Sequence, residues 1–168
     1  MTQTHAACPR PAWASGQISF PLPVTVLSMS LRTFSLLFGI VFLAIGGLGF
    51  VPGFLHAHDN QAVAVDGGLG LLFGLFPMNW LYNLVHIVFG VWGLGAACSP
   101  AAGRTYGKSV AVIYALLTLM GLLPFLNTTL GLVPIHDKDI QLHALLAAVA
   151  ANFGFAYRSN ESRVRGAA

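Results

Sequence analysis

Four uncharged apolar stretches, Thr33 to Val51, Trp80 to Ala97, Val110 to Leu126 and Ile140 to Tyr157, set the plan of the chain. Each approaches the length needed to cross about 30 Å of hydrocarbon at about 1.5 Å per residue, the third being the shortest. In lipid a backbone must satisfy its own hydrogen bonds, so such stretches predict helices rather than strands. None carries the polar outer face that a helix of a soluble bundle needs. The pattern therefore predicts an all-α fold: a membrane four-helix bundle over residues 31–157, built from two tandem helical hairpins.

The intervals between the stretches differ in kind. Residues 1–30 are rich in Pro, Ser and Ala without an amphipathic period, which predicts a disordered cytoplasmic tail. Pro9, Pro11, Pro21 and Pro23 break up any signal-peptide core there, and Met29 is a second candidate start. The interval from Pro52 to Asn79 is too long for a simple hairpin turn. Its apolar segment from Gly68 to Phe76 is too short to span, and is expected to lie at the outer surface as an interfacial or re-entrant element.

Composition agrees with burial in lipid: 56% of the 168 residues are hydrophobic and 8% charged, with a mean hydropathy of +0.75. The eight basic residues are scattered rather than clustered, which argues against nucleic acid as a partner. Their positions instead set topology. Arg10 and Arg32 precede the first stretch, Arg104 and Lys108 separate the second from the third, and Arg158, Arg163 and Arg165 lie in the basic tail of 158–168. On the opposite side Lys138 stands alone between Asp137 and Asp139, read as loop residues, and the first outer loop carries Asp59 and Asp66. The positive-inside rule places both termini in the cytoplasm. Cys8 and Cys98 then face a reducing compartment as free thiols.

An internal repeat is the most specific feature. Gly74 to His86 reads GLFPMNWLYNLVH and Gly131 to His143 reads GLVPIHDKDIQLH, with Gly, Leu, Pro and His in one register. Each copy leads from an outer loop into a span, as expected of two duplicated hairpins about an axis along the membrane normal. On the second span Asn83, His86, Gly90, Gly93 and Ala97 recur at helical spacing; on the fourth His143, Ala147, Ala150 and Gly154 do the same. Small-residue faces of this kind mark close helix packing in lipid. His86 and His143 should therefore point into the bundle.

Histidines inside a membrane invite two readings. In the structural one, each neutral imidazole bonds a backbone carbonyl, Asn83 or the other histidine. In the functional one, His86 and His143 ligate haem iron or another metal, or relay protons to a quinone. Haem is thus a candidate cofactor, while the leading expectation is none. His56, His58 and Asp59, with His136 across from them, form a weaker candidate metal site in the outer loops. Asn127-Thr128-Thr129 matches a glycosylation sequon, a tripeptide that arises easily by chance. No phosphate-binding loop, nucleophile elbow or paired carboxylates are recognisable, so the expectation is a protein that is not an enzyme.

The stretch LLFGLFPMNWLYNLVHIVFGVWGLGAA, Leu71 to Ala97, resembles the core of a bacterial four-helix integral membrane family, domain of unknown function 4383. A phrase like GLF-x-x-N-x-L-x-N-L-V-H opens that family's second span, and GL-x-P followed by a Leu-His pair opens its fourth; here these are Gly74 to His86 and Gly131 to His143. Asn83 stands where such proteins often carry a further imidazole. The resemblance covers roughly Leu31 to Tyr157, implies four spans in a bacterial inner membrane, and implies no activity. The expected role is a non-enzymatic subunit, scaffold or accessory protein, in contact with lipids and with other membrane subunits or its own copies. The alternatives are a haem- or quinone-binding redox subunit and a small oligomeric transporter.

Overall fold

The structure, a computed structural model, describes residues 29–57, 63–135 and 137–157. Most of the two expected tails, and His58, Asp59 and His136 of the candidate loop metal site, lie outside the described residues.

The chain is mostly helical. Helix α1, Leu31–Leu48, is capped by Ser30, whose hydroxyl accepts from the Thr33 amide. A single turn at Pro52–Phe54 follows, then strands β1 (Leu55–His56), β2 (Gly70–Leu72) and β3 (Phe76–Met78). Helix α2 spans Trp80–Ala96, α3 Pro100–Leu122 and α4 Asp137–Ala151, the last ending in a π-helical turn at Asn152–Ala156. Three segments are long and apolar enough to cross a membrane: Leu31–Leu48, Pro100–Leu122 and Lys138–Ala156. Helix α2 is equally apolar but shorter, at 17 residues.

The third helix departs most from the hydropathy pattern, at both ends. The third helix begins at Pro100, ten residues before Val110, because Ser99 caps it and Pro100 occupies a first-turn position where a missing N–H costs nothing. Arg104 and Lys108 are thus helical, and long basic side chains near a helix end can reach back to the interface. The same helix stops at Leu122 rather than Leu126, because Pro124 forces Leu123 into an extended conformation.

Helices α1 and α2 approach closely through glycine. A Cβ built on Gly93 would stand 2.8 Å from the Gly39 Cα, and one on Gly90 would stand 2.8 Å from the Leu43 amide nitrogen. In α3 and α4 the corresponding approach is made by Gly107 and Gly154, where a Cβ on Gly154 would stand 2.6 Å from the Lys108 nitrogen. Lipid removes the hydrophobic drive between helices, so dense contact of this kind is what holds them together. An aromatic core fills the centre: Phe42 stacks on Tyr114 with centroids 5.6 Å apart, and Phe34 on Phe153 at 4.5 Å. Leucine, isoleucine and valine face outward, Leu36, Ile40, Val88, Leu116 and Leu119 among them.

The segment expected as an interfacial or re-entrant element at the outer surface forms part of a small antiparallel sheet, in the order β1-β2-β3. Leu55 pairs with Leu72, and Leu72 in turn with Phe76. Phe73 and Gly74 both take positive φ, 54° and 71°, to turn the chain between β2 and β3. Leu72 and Met78 are buried against Tyr82 and Val133, so the sheet roofs one end of the helices.

Candidate functional site

Beneath the sheet lies a cavity of about 100 Å³, bounded by Leu72, Phe73, Phe76 and Met78 above and by side chains of all four helices. Its polar groups are Tyr82 and His86 from α2, Tyr114 from α3, and Asp139 and His143 from α4. Helical spacing explains the pairing, because residues four apart share a face: Tyr82 with His86, Asp139 with His143. In the internal repeat Tyr82 and Asp139 occupy the same position, four residues before the repeated histidine. Residues at matching positions of the two segments thus deliver their side chains to one cavity.

The bonds within this cluster are specific. His86 Nδ1 lies 2.9 Å from the Tyr82 carbonyl oxygen of its own helix, so Nδ1 carries the hydrogen and donates it. His143 Nε2 lies 2.6 Å from the Tyr82 hydroxyl, a bond that joins α4 to α2. The rings also meet edge to face, Tyr82 with His86 at 4.6 Å and Tyr114 with His143 at 5.0 Å. His143 Nδ1 and Asp139 Oδ2 are buried without a hydrogen-bond partner among the described residues. A phenol, an imidazole and a carboxyl in this arrangement can pass or hold a proton and can grip a small polar group.

Both histidines line the cavity, His86 at 6% exposure and His143 at 1%. Asn83 is fully buried but points elsewhere: its carboxamide is pressed against Gly49, just past the end of α1, where a Cβ would overlap it, and neither of its polar atoms has a partner among the described residues. Gly90 and Gly93 face α1 and Gly154 faces α3, while Ala150 is fully buried and Ala147 packs at the edge of the core. His56 sits exposed on β1 and does not line the cavity. Among the described residues no group of three or more His, Cys, Asp or Glu side chains is disposed to hold a metal ion.

Asp139 corrects the expectation that this residue belongs to an outer loop. It lies in the first turn of α4 at 2% exposure and lines the cavity, so an acidic group does reach the interior of the bundle. Its i, i+4 spacing from His143 is the signal that could have revealed it. Asn79 was also missed. Its side chain accepts from the Tyr82 amide, capping α2, and donates to the carbonyls of Val65 and Leu132, at 3.1 and 2.8 Å, tying both outer loops together.

On the opposite side, arginines close the helix ends. Arg32 at the start of α1 donates to the carbonyls of Ala97 and Cys98 past the end of α2, at 3.0 and 2.5 Å. Arg104 in α3 donates to the Tyr157 carbonyl at 2.6 Å and, at a long 3.5 Å, to that of Gly154. Cations at helix C-termini satisfy unpaired carbonyls and favour the negative end of the helix dipole.

Apolar helices with inward-facing polar groups and arginine-capped ends define a helical membrane protein. The family model described as Domain of unknown function (DUF4383) matches residues 32–156, and the chain belongs to that family. No curated protein and no solved structure matches the chain.

Proposed function

We propose that the protein is a non-enzymatic integral membrane subunit: four spans in two tandem duplicated hairpins, with both termini in the cytoplasm of a bacterial inner membrane, packing against other helices of a membrane assembly or against its own copies. The observation that carries this reading is where the polar groups are spent. His86 bonds its own helix, His143 bonds Tyr82 across the bundle, and Arg32 and Arg104 close the helix ends. The outer faces that remain are apolar, suited to lipid and to neighbouring helices.

The duplication is supported by equivalent contacts. Positions 72 residues apart relate α1 to α3: Arg32 to Arg104, Phe34 to Tyr106 and Phe42 to Tyr114. Phe42 and Tyr114 stack on each other, and Phe34 meets Tyr106 at 6.2 Å, as equivalent residues do beside a two-fold axis. Positions 57 residues apart relate α2 to α4: His86 to His143, Gly90 to Ala147, Gly93 to Ala150 and Ala97 to Gly154. Arg32 reaches the Ala97 carbonyl and Arg104 the Gly154 carbonyl, so this bond too repeats. The repeat glycines, Gly74 and Gly131, both take positive φ, 71° and 84°. The difference between the two offsets is the longer first outer loop.

A haem or quinone role for His86 and His143 is disfavoured by space. Pockets for cofactor-sized ligands run to roughly 300–1,000 Å³, several times the cavity of about 100 Å³. Photo-crosslinking in native membranes tests the assembly reading. Reactive residues at the outward positions Val41 and Leu119 should capture another polypeptide, a second copy or a partner subunit. Capture of lipid alone at both positions would refute it.

A further inference from the structure

We propose that the cavity under the sheet is a binding site for a small primary ammonium ion on a short apolar body, with Asp139 as its counter-charge. This goes beyond the packing role and does not depend on whether the bundle acts alone or in an assembly. Among the described residues the site holds one acidic side chain, Asp139, which is 2% exposed with Oδ2 unpartnered. A buried carboxylate without a partner is costly, and a bound cation that donates hydrogen bonds offsets that cost.

The remaining lining suits such a guest. Phe73, Phe76, Tyr82 and Tyr114 surround the cavity with aromatic rings, and rings together with a carboxylate form the environment in which ammonium groups are recognised. The second unpartnered atom, His143 Nδ1, is free to accept an ammonium hydrogen when Nε2 carries the ring proton and donates to the Tyr82 hydroxyl. Ile45, Leu142 and Leu146 complete the wall and offer contact to an alkyl chain. Space limits its length: an apolar cavity of about 150 Å³ holds the six carbons of benzene, about 25 Å³ each, so about 100 Å³ accommodates about four heavy atoms. Ethyl- to propylammonium meets that limit, whereas larger amines do not.

The test uses the full chain in lipid nanodiscs at fixed pH, titrated with n-propylammonium chloride, with 1-propanol, and with sodium chloride at matched ionic strength. Propylammonium should raise Tm saturably, with half-saturation at least tenfold below that of propanol, and sodium chloride should give no saturable rise. Asp139→Asn should weaken the propylammonium response at least tenfold. Should that variant fail to fold, Leu142→Phe, which narrows the cavity, must weaken the response by the same factor. No saturable rise in the unaltered protein, or an unchanged half-saturation in either variant, would overturn the proposal. A response to pH with none to propylammonium would mark the carboxyl as a site for a proton only, and would overturn it equally.

Discussion

The Tyr82 hydroxyl and His143 Nε2, 2.6 Å apart, make the one described side-chain bond between α2 and α4, and its worth can be measured. Tyr82→Phe removes the hydroxyl and keeps the ring, so the edge-to-face contact with His86 at 4.6 Å survives. Leaving a buried group unsatisfied costs about 1–3 kcal/mol in soluble proteins. Double-mutant cycles between membrane helices average nearer 0.6 kcal/mol and reach about 1.7, because the unfolded chain in lipid finds other partners. His143 Nδ1 has no partner among the described residues, so Tyr82→Phe leaves its imidazole with neither nitrogen bonded. The cost should therefore fall near the upper end, at about 1–2 kcal/mol. Reversible unfolding in mixed micelles, run on Tyr82→Phe, His143→Leu and the double variant, should give a coupling of about 1 kcal/mol or more. His143→Gln, which keeps a hydrogen-bonding group, should cost less than His143→Leu. A coupling below about 0.3 kcal/mol, within the ordinary error of additivity, would refute the bond as a clasp between α2 and α4.

Three further outcomes follow from the same contacts. Gly154→Leu drives a side chain into the Lys108 backbone and should cost about 1–3 kcal/mol or prevent folding, whereas Gly47→Ala, with open space around its Cβ, should be neutral or stabilise by about 0.5–1 kcal/mol; thermal unfolding distinguishes them. Arg104→Gln, at a partly buried site, should cost up to about 2 kcal/mol and Arg32→Gln, more exposed, about 0.3–1 kcal/mol, and a reversed order would contradict the capping geometry. The purified protein should show no Soret band, and a stoichiometric haem spectrum lost on changing His86 and His143 would defeat the structural reading of those residues.

The helices were legible because their signals are long and redundant. Uninterrupted apolar runs give their existence, whereas three of their starts are set by the caps Ser30, Asn79 and Ser99, which hydropathy does not register. The third helix extends beyond its apolar stretch because Ser99 and Pro100 start it ten residues earlier, which carries Arg104 and Lys108 into the helix. The sheet was not legible: strands of two or three residues are too short to show an alternating period, and their pairing brings Leu55 to Leu72 across a long stretch of sequence. The direction of His86 and His143 could be read from small residues at helical spacing. Their partners could not, because nothing in the sequence pairs Tyr82 with His143, and Asp139 reads as a loop acid until the helices bring them into one cavity.

Whether four helices cross, α2 among them, is decided at Cys98, an exposed thiol in the turn between α2 and α3. In intact cells carrying Cys8→Ser, a membrane-impermeant maleimide should leave Cys98 unmodified. It should modify a cysteine introduced by Phe125→Cys, which lies past the other end of α3 and is 75% exposed. Lysis should then make Cys98 reactive. Labelling of Cys98 from outside, or of neither position, would contradict the account.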